Sequence, residues 1–524
     1  MNITPWPGPS RDQCRIITDM VQASGERRTA ATTRVWPQWP QHAQLALVAT
    51  MSALAGALMF LIARRGLGDD AYITVDYARN LAFFGHWGII PTQTANTATS
   101  PLQVWLLALL TAGTGAPIMA VGLLLVITTT ASGVWLYRIA DLTGLPRRVL
   151  PLLGVALLVS NPLLASTVGM ETYLGVALLI ALVRHALPGN WVATGVVAGA
   201  LVLTRPDFAI IDLAVVLTIS AARRRALRSA LVASAIALPW HVLSWLTLGS
   251  ALPDTLMTRM GESWGATYAT GLVWYFQHWT TAIGTTFLLL LCGLVSACWA
   301  WSARRKPRSA APAQATLGFA VGGAAHAMAF VLLAPPPAHW YYGPVVAGFA
   351  LASAVAVSTL VRQHDRSDVV LSIATLPVLC ALSVDIGHGL PWATAPLNGN
   401  WATASQYQRM AESISATRPG STIVSPAEVG TLAYYCQCQI VDDLSDPGRT
   451  AKYISRQLDR AGPLTRTLLT INYLHRSPAE AVPAQYHMEW ENRPANGPDQ
   501  WPARLPTDPD AHVRMRLVPF HHAP

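Results

Sequence analysis

Two adjacent acids, Asp69 and Asp70, follow the first long apolar run of the chain in the stretch Gly68-Asp-Asp-Ala-Tyr-Ile-Thr. A carboxylate beside a membrane span is costly unless it faces water, a partner or a reaction. Paired carboxylates can take up a proton or hold a divalent cation. They can also simply cap a helix, since Asp after Gly is common where a loop enters one. Other polar groups stand where apolar runs break. Glu171, between Met170 and Thr172, is placed either to contact a ligand or to sit at the positive end of a helix beginning near Thr172. Arg205 and Asp207 flank Pro206. They read as a mutually neutralising pair at a bend, or as a guanidinium whose planar donors reach a phosphate. Arg259 closes the segment Pro253-Asp-Thr-Leu-Met-Thr-Arg, and His339 opens His-Trp-Tyr-Tyr342. Trp340, Tyr341 and Tyr342 read as an interfacial girdle; Trp264, Tyr268, Trp274, Tyr275 and Trp279 do so too, with stacking on sugar faces the less favoured alternative.

The elements that must position these groups are membrane helices. Of 524 residues, 52% are hydrophobic and only 12% charged, where a soluble protein carries about 25%. Mean hydropathy is +0.35, and nineteen Trp fit headgroup boundaries. The net charge of +9 is Arg-rich and lies in short loops between apolar runs, which argues against a nucleic-acid partner, whose footprint would be one basic face. Windows of about 20 apolar residues place spans near 43–63, 117–137, 149–168, 172–187, 190–204, 207–221, 228–248, 280–301, 315–334, 343–361 and 368–386. A twelfth run, 101–113, is short and begins at Pro101, as a re-entrant or tilted helix would.

If 101–113 does not cross, every basic cluster falls on one side with the Arg-rich N-terminus: Arg147-Arg148, Arg184, Arg223 to Arg225, Arg304 to Lys306, and Arg362 with Arg366. The positive-inside rule then makes that side cytoplasmic. Loop 65–100, Glu171, Arg205, loop 249–279 and His339 all face outward. The expected architecture is a polytopic α-helical membrane protein of about eleven spans plus a partial helix. A flexible cytoplasmic tail, 1–42, precedes the membrane domain, 43–386. Residues 387–524 form a small extracytoplasmic α/β domain with helices near 403–417 and 450–461, strands at Ser421-Thr-Ile-Val and Gln439-Ile-Val, and a loosely ordered last forty residues.

Cys436-Gln-Cys438 is too isolated for zinc, which wants about four ligands. It reads as packing, with a redox role the less favoured alternative, the usual redox pair being Cys-X-X-Cys. No Ser-His-Asp order, P-loop, dinucleotide glycine set or zinc spacing is present.

Asp69-Asp-Ala-Tyr-Ile-Thr-Val-Asp-Tyr-Ala-Arg-Asn-Leu-Ala and Thr99-Ser-Pro-Leu resemble the first external loop of bacterial GT-C glycosyltransferases, membrane enzymes that use polyprenyl-phosphate sugars. Gly169-Met-Glu-Thr, Leu203-Thr-Arg-Pro-Asp, Leu252-Pro-Asp-Thr, Val429-Gly-Thr-Leu-Ala-Tyr-Tyr and Val441-Asp-Asp-Leu are similar to later motifs of the group, in order. Within that group the motifs resemble those of the mycobacterial arabinofuranosyltransferases that use decaprenyl-phosphate-arabinose. The resemblance implies transfer of a sugar, plausibly arabinofuranose, to a cell-envelope glycan at the outer face of the cytoplasmic membrane, with inversion. A polyprenyl-phosphate-mannose enzyme, a lipid-sugar flippase and a catalytically dead glycan-binding protein are the alternatives. The resemblance makes Asp69 or Asp70 the base. Arg259, with Arg205 or His339, would hold phosphate, while Glu171, Asp207 and Tyr341 would make substrate contacts. It departs from the usual pattern at Asp254, Arg259 and His339, where relatives often carry Asn, Lys and Arg. A phosphate donor lowers the need for a metal, so no cofactor is expected, although Asp69-Asp70 would suit Mg²⁺ or Mn²⁺.

Overall fold

The computed structural model describes residues 39–260, 264–364, 366–425, 428–505 and 508–520. The chain runs α1 (Gln41–Ala63), α2 (Asp69–Phe84), α3 (Pro101–Thr114), α4 (Pro117–Thr143), α5 (Val149–Ser160), α6 (Pro162–Ala165), α7 (Thr172–Ala186), α8 (Trp191–Thr204), α9 (Ala209–Thr218), α10 (Ser220–Arg223) and α11 (Ala226–Thr247). It continues with α12 (Thr255–Met260), α13 (Tyr268–His278), α14 (Thr280–Ala303), α15 (Ala310–Leu333), α16 (Gly343–Gln363) and α17 (Ser367–Gly387). Among the described residues, seven helices are long and apolar enough to cross a membrane by themselves, and α3, α5, α7 and α8 are shorter apolar helices in the same bundle. The protein is a membrane protein, and every apolar run read from the sequence is helical.

The bundle has two chemically distinct ends. α1 and α4 are antiparallel: Phe60 packs on Gly122, Ser52 on Gly133, and the Tyr137 hydroxyl donates to Gln41 O. At the far end Arg362 donates to Thr143 O at 3.1 Å and to Arg308 O at 3.3 Å, and Arg148 lies over the Trp39 ring. The basic loops therefore gather where α1 begins, as the charge rule demands. α3 starts beside Gly169, whose carbonyl accepts from Gln103, and three residues after its end α4 begins its run back alongside α1. Both ends of α3 consequently lie at the same end of the bundle, the behaviour expected of a segment that does not cross.

Two expected spans are interrupted. The run 149–168 breaks at Asn161, because Pro162 disfavours helical backbone in the residue before it; the Asn161 side chain accepts from Leu163 N and Leu164 N at 3.2 Å and starts α6. The run 207–221 opens as a 3-10 turn, Pro206–Phe208, before α9. Residues 1–38 of the expected tail lie outside the described residues.

The C-terminal region adds α18 (Ala404–Thr417), β1 (Thr422–Val424), α19 (Gly430–Tyr435), β2 (Gln439–Val441), α20 (Pro447–Arg460), α21 (Pro463–Asn472), β3 (Tyr486–Glu491), β4 (Gln500–Leu505) and β5 (Asp508–Pro519). The sheet order is β2-β1-β3-β5-β4, parallel at β2-β1-β3 and antiparallel thereafter. The described part of the last forty residues forms β3, β4 and β5, where Pro, Asp and His content suggested loose order. Val513, Met515 and Leu517 alternate with Arg514 and Arg516 and bury one face of β5 in the core. The cysteine pair also differs from its packing assignment: Cys436 and Cys438 form a disulfide, because the chain turns sharply from α19 into β2. Tyr77, Ile89 and Ile90 of the segment 65–100 share one core with Tyr407, Ile423, Leu432 and Met488. The C-terminal domain is thereby packed directly onto the bundle.

Candidate active site

The acids open α2, where the positive helix end favours negative charge. Their side chains nonetheless do different things. Asp69 is buried, and its carboxylate accepts from Val429 N and Gly430 N at 3.1 Å and from Thr431 N at 2.7 Å. It thus caps α19 of the C-terminal domain, a helix it does not belong to. Burial pushes its carboxyl up to about 6, opposed by the Thr431 amide and reinforced by Asp70. The close approach requires glycine at 430, where a Cβ would fall 2.3 Å from Asp69 O. Asp70 turns the other way, its side chain 27% exposed, and pairs with Arg259 at 3.0 Å.

Asp70 and Arg259 line a cavity of about 1130 Å³ between the bundle end and the C-terminal domain. Its bundle side carries Trp274, Trp279, His339 and Trp340; its domain side carries Asp442, Asp443, Arg449 and Tyr453. This volume lies at the upper end for ligand pockets and suits more than one ring of a ligand. His339 is fixed by Ser166 O at 3.4 Å. Trp264, Trp274, Tyr275 and Trp279, for which a belt at the headgroups was the favoured expectation, line the cavity, while Tyr268 is buried and stacked on Tyr342 at 4.3 Å. Among the described residues no group of three or more His, Cys, Asp or Glu is arranged to hold a metal ion.

Glu171, Arg205, Asp207 and Tyr341 come together, but behind this cavity. Arg205 donates to Glu171 at 2.8 Å and to Asp207 at 2.9 Å, Asp207 meets His326 at 2.7 Å, and the guanidinium lies 5.2 Å over the Tyr341 ring. Removing one partner from a buried ionic chain strands the others, so the arrangement reads as a brace at the break between α8 and α9. The side chain of Trp340 borders both spaces. Asp254 is likewise a strut: Ser250 Oγ donates to it at 2.9 Å and Arg476 at 2.7 Å.

Sequence reasoning missed Glu428. It accepts from Asn400 at 3.1 Å, from Trp401 N and from the Tyr407 hydroxyl, next to the Asp69 clasp. Burial and then the Asp69 charge push its carboxyl up to about 8. The consequence for pH has a definite sign. Glu428 holds a proton in the fold that the unfolded chain has already lost above its ordinary 4.5, so this stabilisation is complete below that value and disappears as pH rises through about 8. Between about 6, above which Asp69 is ionised, and about 8, unfolding free energy falls with pH at a slope of up to about 1.4 kcal/mol per unit, and the melting temperature in detergent falls with it. Glu428→Gln flattens that slope; an unchanged slope in the variant contradicts the assignment. For Asp442 and Asp443 the available signal was the Val441-Asp-Asp-Leu motif; in the structure the Asp442 carboxylate accepts from Leu444 N and Ser445 N at 2.8 Å.

The arrangement, an apolar helical bundle with a mixed domain seated over a cavity at one end, is a GT-C-like membrane fold. No protein-family model matches the chain, and no curated protein matches it in sequence. Among solved structures it is similar to ArnT from Cupriavidus metallidurans bound to undecaprenyl phosphate (TM-score 0.55, 13% identity, 91% of this chain and 98% of that one). It is also similar to the apo state of the same protein (TM-score 0.52, 13% identity, 86% and 93%). A mycobacterial arabinofuranosyltransferase, AftD, aligns at TM-score 0.49 and 16% identity over 89% of this chain, which spans 36% of the AftD chain.

Proposed function

We propose that the chain is a membrane glycosyltransferase that moves a sugar from a polyprenyl-phosphate donor to a cell-envelope glycan. The observation that carries this reading is the Asp70–Arg259 pair facing a large cavity at the bundle end, in a fold shared with a protein crystallised with undecaprenyl phosphate. An acceptor hydroxyl loses its proton to the Asp70 carboxylate as its oxygen bonds to the anomeric carbon. The bond from that carbon to the donor phosphate breaks, and the electron pair departs as polyprenyl monophosphate, with inversion. Arg259 offers the phosphate planar donors. Asp69 is set aside as base because both its oxygens already accept backbone N–H groups.

The sugar is proposed to be arabinofuranose on the strength of the sequence motifs, with Asp442, Asp443, Arg449 and Tyr453 forming the acceptor side. Outward sidedness is supported by the basic clusters at the opposite end and by the Cys436–Cys438 disulfide, which persists in oxidising compartments. The test supplies purified protein in nanodiscs with labelled decaprenyl-phosphate-arabinose and an arabinan acceptor. Label is expected in the glycan. No transfer from this donor or from polyprenyl-phosphate-mannose rejects the enzyme reading, and transfer from mannose alone rejects the sugar.

A further inference from the structure

α21 is amphipathic in an unusual place. Leu464, Leu468, Ile471 and Leu474 recur at helical spacing, and all four are exposed, from 53% to 75%. A soluble domain rarely leaves such a stripe uncovered. Its position explains it. The Trp245 indole, near the end of α11, donates to Ile471 O at 2.9 Å and packs edge-on against His475 at 4.6 Å. α11 and α17 are the barest of the seven membrane-length helices, and α11 turns Leu231, Leu238, Val242 and Leu246 outward. Trp245 thus joins the stripe of α21 to the end of a lipid-facing helix, and indoles favour the headgroup boundary.

Alongside, Lys452, Arg456 and Arg460 form an exposed basic row on α20, and Arg466 ties the two helices by donating to Leu458 O and Asp459 O. An apolar face flanked by cations is the pattern of a helix lying in an anionic membrane surface.

We infer that α21 is an interfacial anchor, seated by Leu464, Leu468 and Ile471 in the leaflet on the side of the C-terminal domain, with the α20 row on its anionic headgroups. The anchor is mechanically joined to the candidate site. Asn472 accepts from Ala251 N and Leu252 N at 3.0 Å, and Arg476 pairs with Asp254 at 2.7 Å. Five residues on, α12 carries Arg259 toward the cavity. The membrane surface therefore fixes the segment that presents Arg259. This inference rests on the lipid-facing bundle and not on the proposed chemistry.

The test labels Leu468→Cys with an environment-sensitive fluorophore in full-length protein lacking Cys14, Cys292, Cys298 and Cys380 and retaining the disulfide. The protein is reconstituted in vesicles of phosphatidylcholine with or without phosphatidylglycerol; Glu412→Cys, exposed on α18, is the aqueous control. Expected are blue-shifted emission at 468, quenching by brominated lipid and loss of iodide quenching, with lipid quenching stronger in anionic vesicles; the 412 probe shows the reverse. Iodide quenching at 468 equal to that at 412 overturns the anchor. Shielding from both quenchers, with cross-linked dimers, overturns it in favour of a protein contact. Equal lipid quenching in both vesicle types removes the anionic component.

Discussion

Replacing Asp70 by Asn lowers the turnover of sugar transfer by about a thousandfold, the scale of a lost general base, and leaves the fold intact. The side chain is more than a quarter exposed, and its pair with Arg259 is of the partly solvated kind, worth about 1 kcal/mol or less to stability. Asn keeps the shape and can still accept a hydrogen bond, but it cannot take a proton from an acceptor hydroxyl. Melting temperature and donor KM therefore change little while kcat collapses. Arg259→Gln shows the opposite split, raising donor KM, if the guanidinium serves the phosphate. Wild-type turnover in Asp70→Asn removes the residue from the chemistry, whatever becomes of the donor assignment.

That two neighbouring acids have separate fates was not legible in the sequence. The pair itself, its place after an apolar run and the risk of a mere helix cap were all readable. What distinguishes Asp69 is a set of amides some 360 positions away, at Val429, Gly430 and Thr431, and no local pattern encodes that. The brace behind the cavity shows the same limit. Arg205 and Asp207 advertise their pairing across one proline, but Glu171 and His326 complete the chain from other helices. The organisation of the bundle was far more legible, because apolar length and Arg placement are local quantities that the membrane itself reads. The end of the chain was misread for a different reason. Its strand signal, Val513-Arg-Met-Arg-Leu517, has the two-residue period in full view, but composition rich in Pro, Asp and His outweighed periodicity.

The Asp69 clasp yields the second large effect, one of assembly. Gly430→Ala places a methyl group 2.3 Å from Asp69 O and 2.7 Å from Ile73 N. Both are backbone atoms of α2 and cannot rotate aside, so α19 must lift away, at a cost of about 3 kcal/mol. Lifting it separates the Asp69 carboxylate from its three amides, and each buried group left unpaired adds about 1–3 kcal/mol. Asp69→Ala reaches the same state from the other side by removing the acceptor. Since the bundle core is built from different residues than the core shared with the domain, both variants are expected to leave the membrane helices folded while the domain loosens. Trypsin then cuts at Arg418, just after α18, a site held in the native fold by its pair with Asp499 at 2.6 Å, and transfer is lost because the cavity has walls from both parts. The two variants also share a consequence that Asp70→Asn lacks: loss of protease resistance in parallel with activity. Native resistance and melting in Gly430→Ala contradict the clasp, whereas cleavage with full activity contradicts a catalytic cavity that depends on the docked domain.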